Sequence, residues 1–187
     1  MFLKRIVTAT AAVALVAGAG LAVSAPAQAA KFGETELRLT TAVTTSAQAK
    51  NVSIYVTTPG VSNVSSTGRL TFAFPITGIE NGQVQHHRKG SILIAHNSEG
   101  SQRTLEMRRL LIDAKDRTIT ARVFFNGADQ GRIVVFTSTG GQASGSALKG
   151  VKVDLAAGIA SGANMALGTD FFVEQMRMGT ASGALIN

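Results

Sequence analysis

The sequence predicts an all-β domain, built as an antiparallel sheet structure with one or two short helices, behind an N-terminal export leader. Short stretches alternate apolar and polar residues. Turn signals separate them at roughly 8–12-residue intervals, the spacing of a β-sandwich or barrel, and sustained helical stripes are scarce.

The leader is read from Lys4 and Arg5 as a charged start, Ile6 to Val23 as an apolar run, and Ala27-Gln28-Ala29 as a small-residue cleavage site. The run approaches the ~20 residues that span a bilayer. Within it only Ile6, Leu15 and Leu21 are bulkier than valine, which favours a cleaved signal over an anchor. Residues 1–29 are therefore assigned to the signal peptide and 30–187 to one domain; no later segment is long or apolar enough to cross a membrane.

The 187 residues less 29 leave 158, the size of one ordinary domain, with no cysteine. An apolar core alone must hold it, and thiol catalysis, thiolate–zinc sites and iron–sulfur clusters are excluded. Without Lys4 and Arg5, the 18 Lys+Arg become 16 against 11 Asp+Glu, a net charge of +5. That balance suits anionic glycans, envelope polymers or lipid head groups; the plain alternative is a basic surface that serves solubility. Nucleic acid is not expected, because the few aromatic residues are not interleaved with the cations.

Ala30 to Glu36 reads as a flexible leader. Leu39, Ala42, Val43, Ala47 and Ala49 mark one weak helical face, and a strand follows over Val52–Val56 with Tyr55 turned away from its three aliphatic residues. Thr57 to Gly68 reads as a polar loop turning at Pro59-Gly60. Leu70–Ala95 is expected as two strands joined by a loop: Leu70, Phe72 and Phe74 alternate with polar or small residues, Pro75 ends the first strand, and Ile92 and Ile94 lie on the second. Between them come Gly78, Asn81-Gly82 and His86-His87-Arg88-Lys89-Gly90. A turn is expected at His96–Gln102, then strands over 104–112 and 118–125, a tight turn at Asn126-Gly127, and a strand over 131–136. Thr137–Lys149 reads as a mobile loop, 151–155 as a strand, 156–165 as a small-residue helix or wide loop, and the C-terminal stretch as a closing strand.

Phe74-Pro75-Ile76-Thr77-Gly78, Gly82-Gln83-Val84-Gln85-His86 and Gly90-Ser91-Ile92 resemble the FPITGG…GxIxHxGGL pattern of actinobacterial secreted HtaA-like domains. The likeness continues through Leu105-Glu106-Met107-Arg108, Leu111-Ile112-Asp113, Thr118–Val123, Gly150-Val151-Lys152-Val153 and Gly179-Thr180-Ala181. The resemblance implies an exported all-β domain, here expected as an antiparallel β-sandwich, Ig-like or HtaA-like, and, in members with the full site, haem capture through a tyrosinate iron ligand backed by a histidine.

Tyr55 is the sole tyrosine and so the candidate iron ligand; the plain structural alternative is a strand tyrosine exposing its hydroxyl. His86 and His87 are the candidate partners in a haem pocket or, with Arg88 and Lys89, an anion contact; the alternative is a solvated loop. Adjacent strand residues face opposite ways, so at most one enters a given pocket. His96 reads as a surface turn residue. Asp113 and Asp116 read as a charged turn, and no serine lies in a nucleophile elbow. The expectation is a non-enzymatic binding domain of the cell envelope, taking haem or a haemoprotein. The alternative is a cofactor-free protein contacting an anionic polymer or protein through basic loops.

Overall fold

In a computed structural model of the chain, residues 33–66, 68–98, 100–144 and 147–184 are described. The export leader and its cleavage site lie outside these residues. The elements run β1 (Glu34–Leu39), α1 (Thr41–Ala49), β2 (Val52–Val56), β3 (Val61–Val64), β4 (Leu70–Glu80), β5 (Gln83–His86) and β6 (Ser91–Ser98). There follow β7 (Ser101–Asp113), β8 (Thr118–Phe125), β9 (Ala128–Thr139), β10 (Gln142–Ser144), β11 (Ala147–Leu155), α2 (Ile159–Leu167) and β12 (Arg177–Ala184).

The all-β antiparallel class and the two short helices agree with the sequence. The strands pair as one sheet in the order β2-β6-β7-β5-β4-β1-β12-β11-β9-β8, and β8 pairs back onto β7. Eight strands from β7 round to β8 thus form a barrel-like ring, from which β6 and β2 extend along one flank of β7. The hydrogen bonding does not divide the strands into the two separate sheets expected of a sandwich.

Several elements differ from the sequence reading. Glu34–Glu36, expected in a flexible leader, and Leu39, expected on a helical face, belong to β1, which lies between β4 and β12. Its inward set is Thr35, Leu37 and Leu39, with Glu34, Glu36 and Arg38 outside. A threonine in the buried row hid the alternation. Pro75 does not end β4. It sits where the flank of β4 passes from β3 to β5, so no continuous ladder there asks it for a donor.

The expected two-strand hairpin is three strands: β4 and β5 close on Asn81-Gly82, both at positive φ (51° and 79°), while β6 pairs with β2 and β7. Strand β3 replaces part of the polar loop, and β9, β10 and β11 occupy most of 137–149, turning at Gly140-Gly141.

One core cluster joins barrel and helices. Val43 and Ala47 of α1, and Ala160, Ala163 and Leu167 of α2, are buried. Thr40 caps α1, its Oγ1 accepting from the Val43 amide at 3.2 Å, and Gly168 (φ 67°) ends α2 in the left-handed region.

Candidate functional site

Tyr55 lies on β2 opposite Leu93, which lies opposite Glu106, which lies opposite Phe124. The neighbouring row, Ile54, Ile94, Leu105 and Phe125, belongs to the core face, so Tyr55 stands on the outer face of the sheet, 38% exposed. Burial of its ring, and then the Glu106 carboxylate, hold its phenol above the ordinary range. This is the opposite of the perturbation that yields a tyrosinate ligand.

His86 lies on β5 and points inward, 7% exposed. The Leu110 carbonyl can only accept, so Nδ1 donates to it at 3.1 Å, and Nε2 accepts from the Thr35 hydroxyl at 2.9 Å. Phe74 meets the ring edge-on at 6.2 Å between centroids. Burial drives the imidazole pKa down to about 4, against a smaller upward pull from the Leu110 hydrogen bond. The void beside it, about 30 Å³ among Leu37, Phe74, Ile112 and Phe136, has room for little more than a water. His86 is therefore a neutral core histidine with both nitrogens bonded, and it does not share a face with Tyr55.

His87 lies in the turn after β5, half-buried, its Nδ1 accepting from the Lys89 amide at 3.2 Å. Adjacent histidines thus face different surroundings, as an extended backbone requires. His96 is not in a turn. It is half-buried on β6, and its Nδ1 donates to the Leu167 carbonyl at 2.9 Å, tying the end of α2 to the sheet. Asp113 accepts from the Lys115 and Asp116 amides, as a charged turn would.

The outer face carries a feature that strand-by-strand reading did not reveal. Arg108 on β7, Arg122 on β8 and Arg132 on β9 stand directly opposite one another across three strands, which neighbour each other at about 4.8 Å. Arg109 adds a fourth guanidinium: its φ of 53° marks a bulge in β7, where the register to β8 shifts, and both Arg108 and Arg109 are exposed. The carbonyl of Arg109 accepts from Arg132 Nη1 at 3.0 Å.

Two carboxylates offset part of this charge. Glu106 accepts from Arg108 at 2.7 Å and from the buried Ser91 hydroxyl at 2.7 Å, and Asp129 pairs with Arg122. Both carboxyls are held below their ordinary range, chiefly by those arginines. Arg108 also lies over the Phe124 ring, 4.5 Å from its centroid, with Arg122 at 5.9 Å. Arg132 has no carboxylate partner among the described residues. Burial first, then Arg109 and Arg122, lower its pKa. Successive members of the row are 14 and 10 positions apart in sequence, and the strand registers align them.

The fold and site define an all-β antiparallel domain with two packed helices and an arginine-rich outer face. No family model matches the chain, and no curated protein matches it in sequence. Among solved structures, the C-terminal domain of HtaA from Corynebacterium glutamicum matches with a TM-score of 0.51 at 13% identity, over 83% of this chain and 99% of that domain. At that identity the likeness is one of fold alone: the chain has an HtaA-like fold. Among the described residues no helix is long and apolar enough to cross a membrane.

Proposed function

We propose that this chain is a non-enzymatic binding domain of the bacterial cell envelope, and that it holds an anionic polymer on the outer face of β7, β8 and β9 without a cofactor. The observation that carries the reading is the row Arg108–Arg122–Arg132. Like charges directly opposite each other on paired strands weaken a sheet, and this fold stacks three in line, with Arg109 beside them. A polyanion laid across the strands removes that cost and meets planar guanidinium groups suited to carboxylate, sulfate or phosphate oxygens. The basic residues at work are thus on strands, in place of the loop cations Arg88 and Lys89.

Calorimetric titration with dextran sulfate at several salt concentrations tests this. Binding is expected to weaken as salt rises, to fall at least tenfold in the triple variant Arg108→Ala/Arg122→Ala/Arg132→Ala, and to persist in Arg88→Ala/Lys89→Ala. Equal binding by the triple variant overturns the assignment.

The HtaA-like fold and the partly exposed Tyr55 side chain favour a second reading, haem or haemoprotein binding at Tyr55 with His87 as the available histidine; His86 has no free nitrogen to offer. Hemin titration separates the two. A saturable Soret shift lost in Tyr55→Ala supports haem, and its absence supports the cofactor-free reading.

A further inference from the structure

We infer that the cleft between α2 and the inner face of β7, β8 and β9 binds the hydrocarbon tail of a single-chain amphiphile, independently of the arginine face. The cleft holds about 270 Å³. Its floor is buried and apolar, with Leu105, Met107, Val123, Val135 and Phe172, and its rim is formed by the half-buried Phe125, Ile133 and Ile159 and the exposed Gln130. It is therefore closed below and open at one side.

Two further facts indicate that the space is kept open. Gly162 lines the cleft from the middle of α2, where glycine costs about 1 kcal/mol against alanine. Nothing in the packing demands a glycine there: a carbon added at its Cβ position meets no atom within 4 Å, and its φ is ordinary. A side chain at 162 would simply occupy the cleft. Well-packed interiors leave few clefts larger than a water, and a helical glycine that no contact requires leaves this apolar one open to a ligand.

The walls state the chemistry of that occupant. No charged residue lines the cleft, and its one polar side chain is the amide of Gln130 at the rim. A charge inside would go unpaired and is excluded, so the inserted part is wholly apolar and any head group stays at the mouth. The volume exceeds the ~150 Å³ void that holds benzene and falls below the ~300–1,000 Å³ typical of drug-sized ligands. A flexible alkyl chain of moderate length fits those limits and conforms to the apolar walls.

The test is fluorescence titration of the whole folded domain with 11-(dansylamino)undecanoic acid, competed by a series of straight-chain alcohols. Saturable enhancement is expected, with competition strengthening about fourfold per added CH₂ until the cleft is filled. Gly162→Leu is expected to lose at least tenfold in probe affinity without a lower melting temperature, whereas Met165→Ser, on the exposed side of α2, keeps it. In the unaltered protein the Met107 methyl resonance shifts on saturation and that of Met165 does not. Unchanged probe affinity in folded Gly162→Leu, a Met107 methyl that stays fixed, or competition indifferent to chain length overturns the inference.

Discussion

Replacing His86 by glutamine should remove a specific part of the acid sensitivity of this fold. The folded imidazole titrates near 4 because it is buried, 7% exposed, with its nitrogens committed to Leu110 and Thr35. In the unfolded chain it titrates near ~6.5. Between those values the unfolded state holds a proton that the folded state refuses, so stability is complete above about pH 6.5 and declines as pH falls toward 4. A gap of about 2.5 pH units at ~1.36 kcal/mol each amounts to about 3 kcal/mol.

Urea unfolding at pH 7.5 and pH 4 measures it. His86→Gln is expected to be less stable at pH 7.5, since glutamine cannot reproduce both hydrogen bonds and the edge contact with Phe74. Its further loss on acidification, however, is expected to be about 3 kcal/mol smaller than that of the unaltered protein. Carboxylates such as Asp113 and Asp129, also held low, contribute to both proteins and cancel in the difference. Equal acid losses in the two proteins would refute the buried neutral histidine.

Tyr55 is the sole tyrosine, so ultraviolet absorbance follows its ionisation without assignment; its midpoint should lie above 10 and drop in Glu106→Gln, and a midpoint below 10 contradicts the geometry. Asn164 bonds both the Phe172 carbonyl (2.8 Å) and the Phe172 amide (2.9 Å), pinning the segment after α2. Asn164→Ala should therefore cost about 2 kcal/mol and speed exchange of the Phe172 amide. Gly179→Ala would place a carbon 2.2 Å from the Arg38 carbonyl oxygen, where β12 meets β1. Its melting temperature should fall steeply, while Gly78→Ala, with nothing within 4 Å of the added carbon, stays near the parent value.

Much of the fold is legible residue by residue. Phe72 and Phe74 declare an inward face, as do Ile119, Ala121 and Val123, because a strand alternates its side chains with a period of two; that Ile76 continues the row past Pro75 was not legible. Asn126-Gly127 declares its hairpin because both residues must take positive φ, 48° and 83°. The alternation fails where the buried row contains a threonine, as at Thr35, or where a strand is almost wholly exposed, as in β3. Thr35 is buried because it serves His86, a partner 51 positions away that no local pattern can point to.

The amino-acid sequence by itself determined the antiparallel β class, most of the tight turns and a core without cross-links, since each follows from near-neighbour periodicity, backbone preference and composition, and it narrowed the helices to one or two short ones. Tertiary structure alone decided which of two adjacent histidines is buried and neutral, that β8 returns to β7, and that Arg108, Arg122 and Arg132 align. Those outcomes depend on strand register, which two bulged ladders shift by single residues, and a one-residue shift exchanges the face a side chain presents.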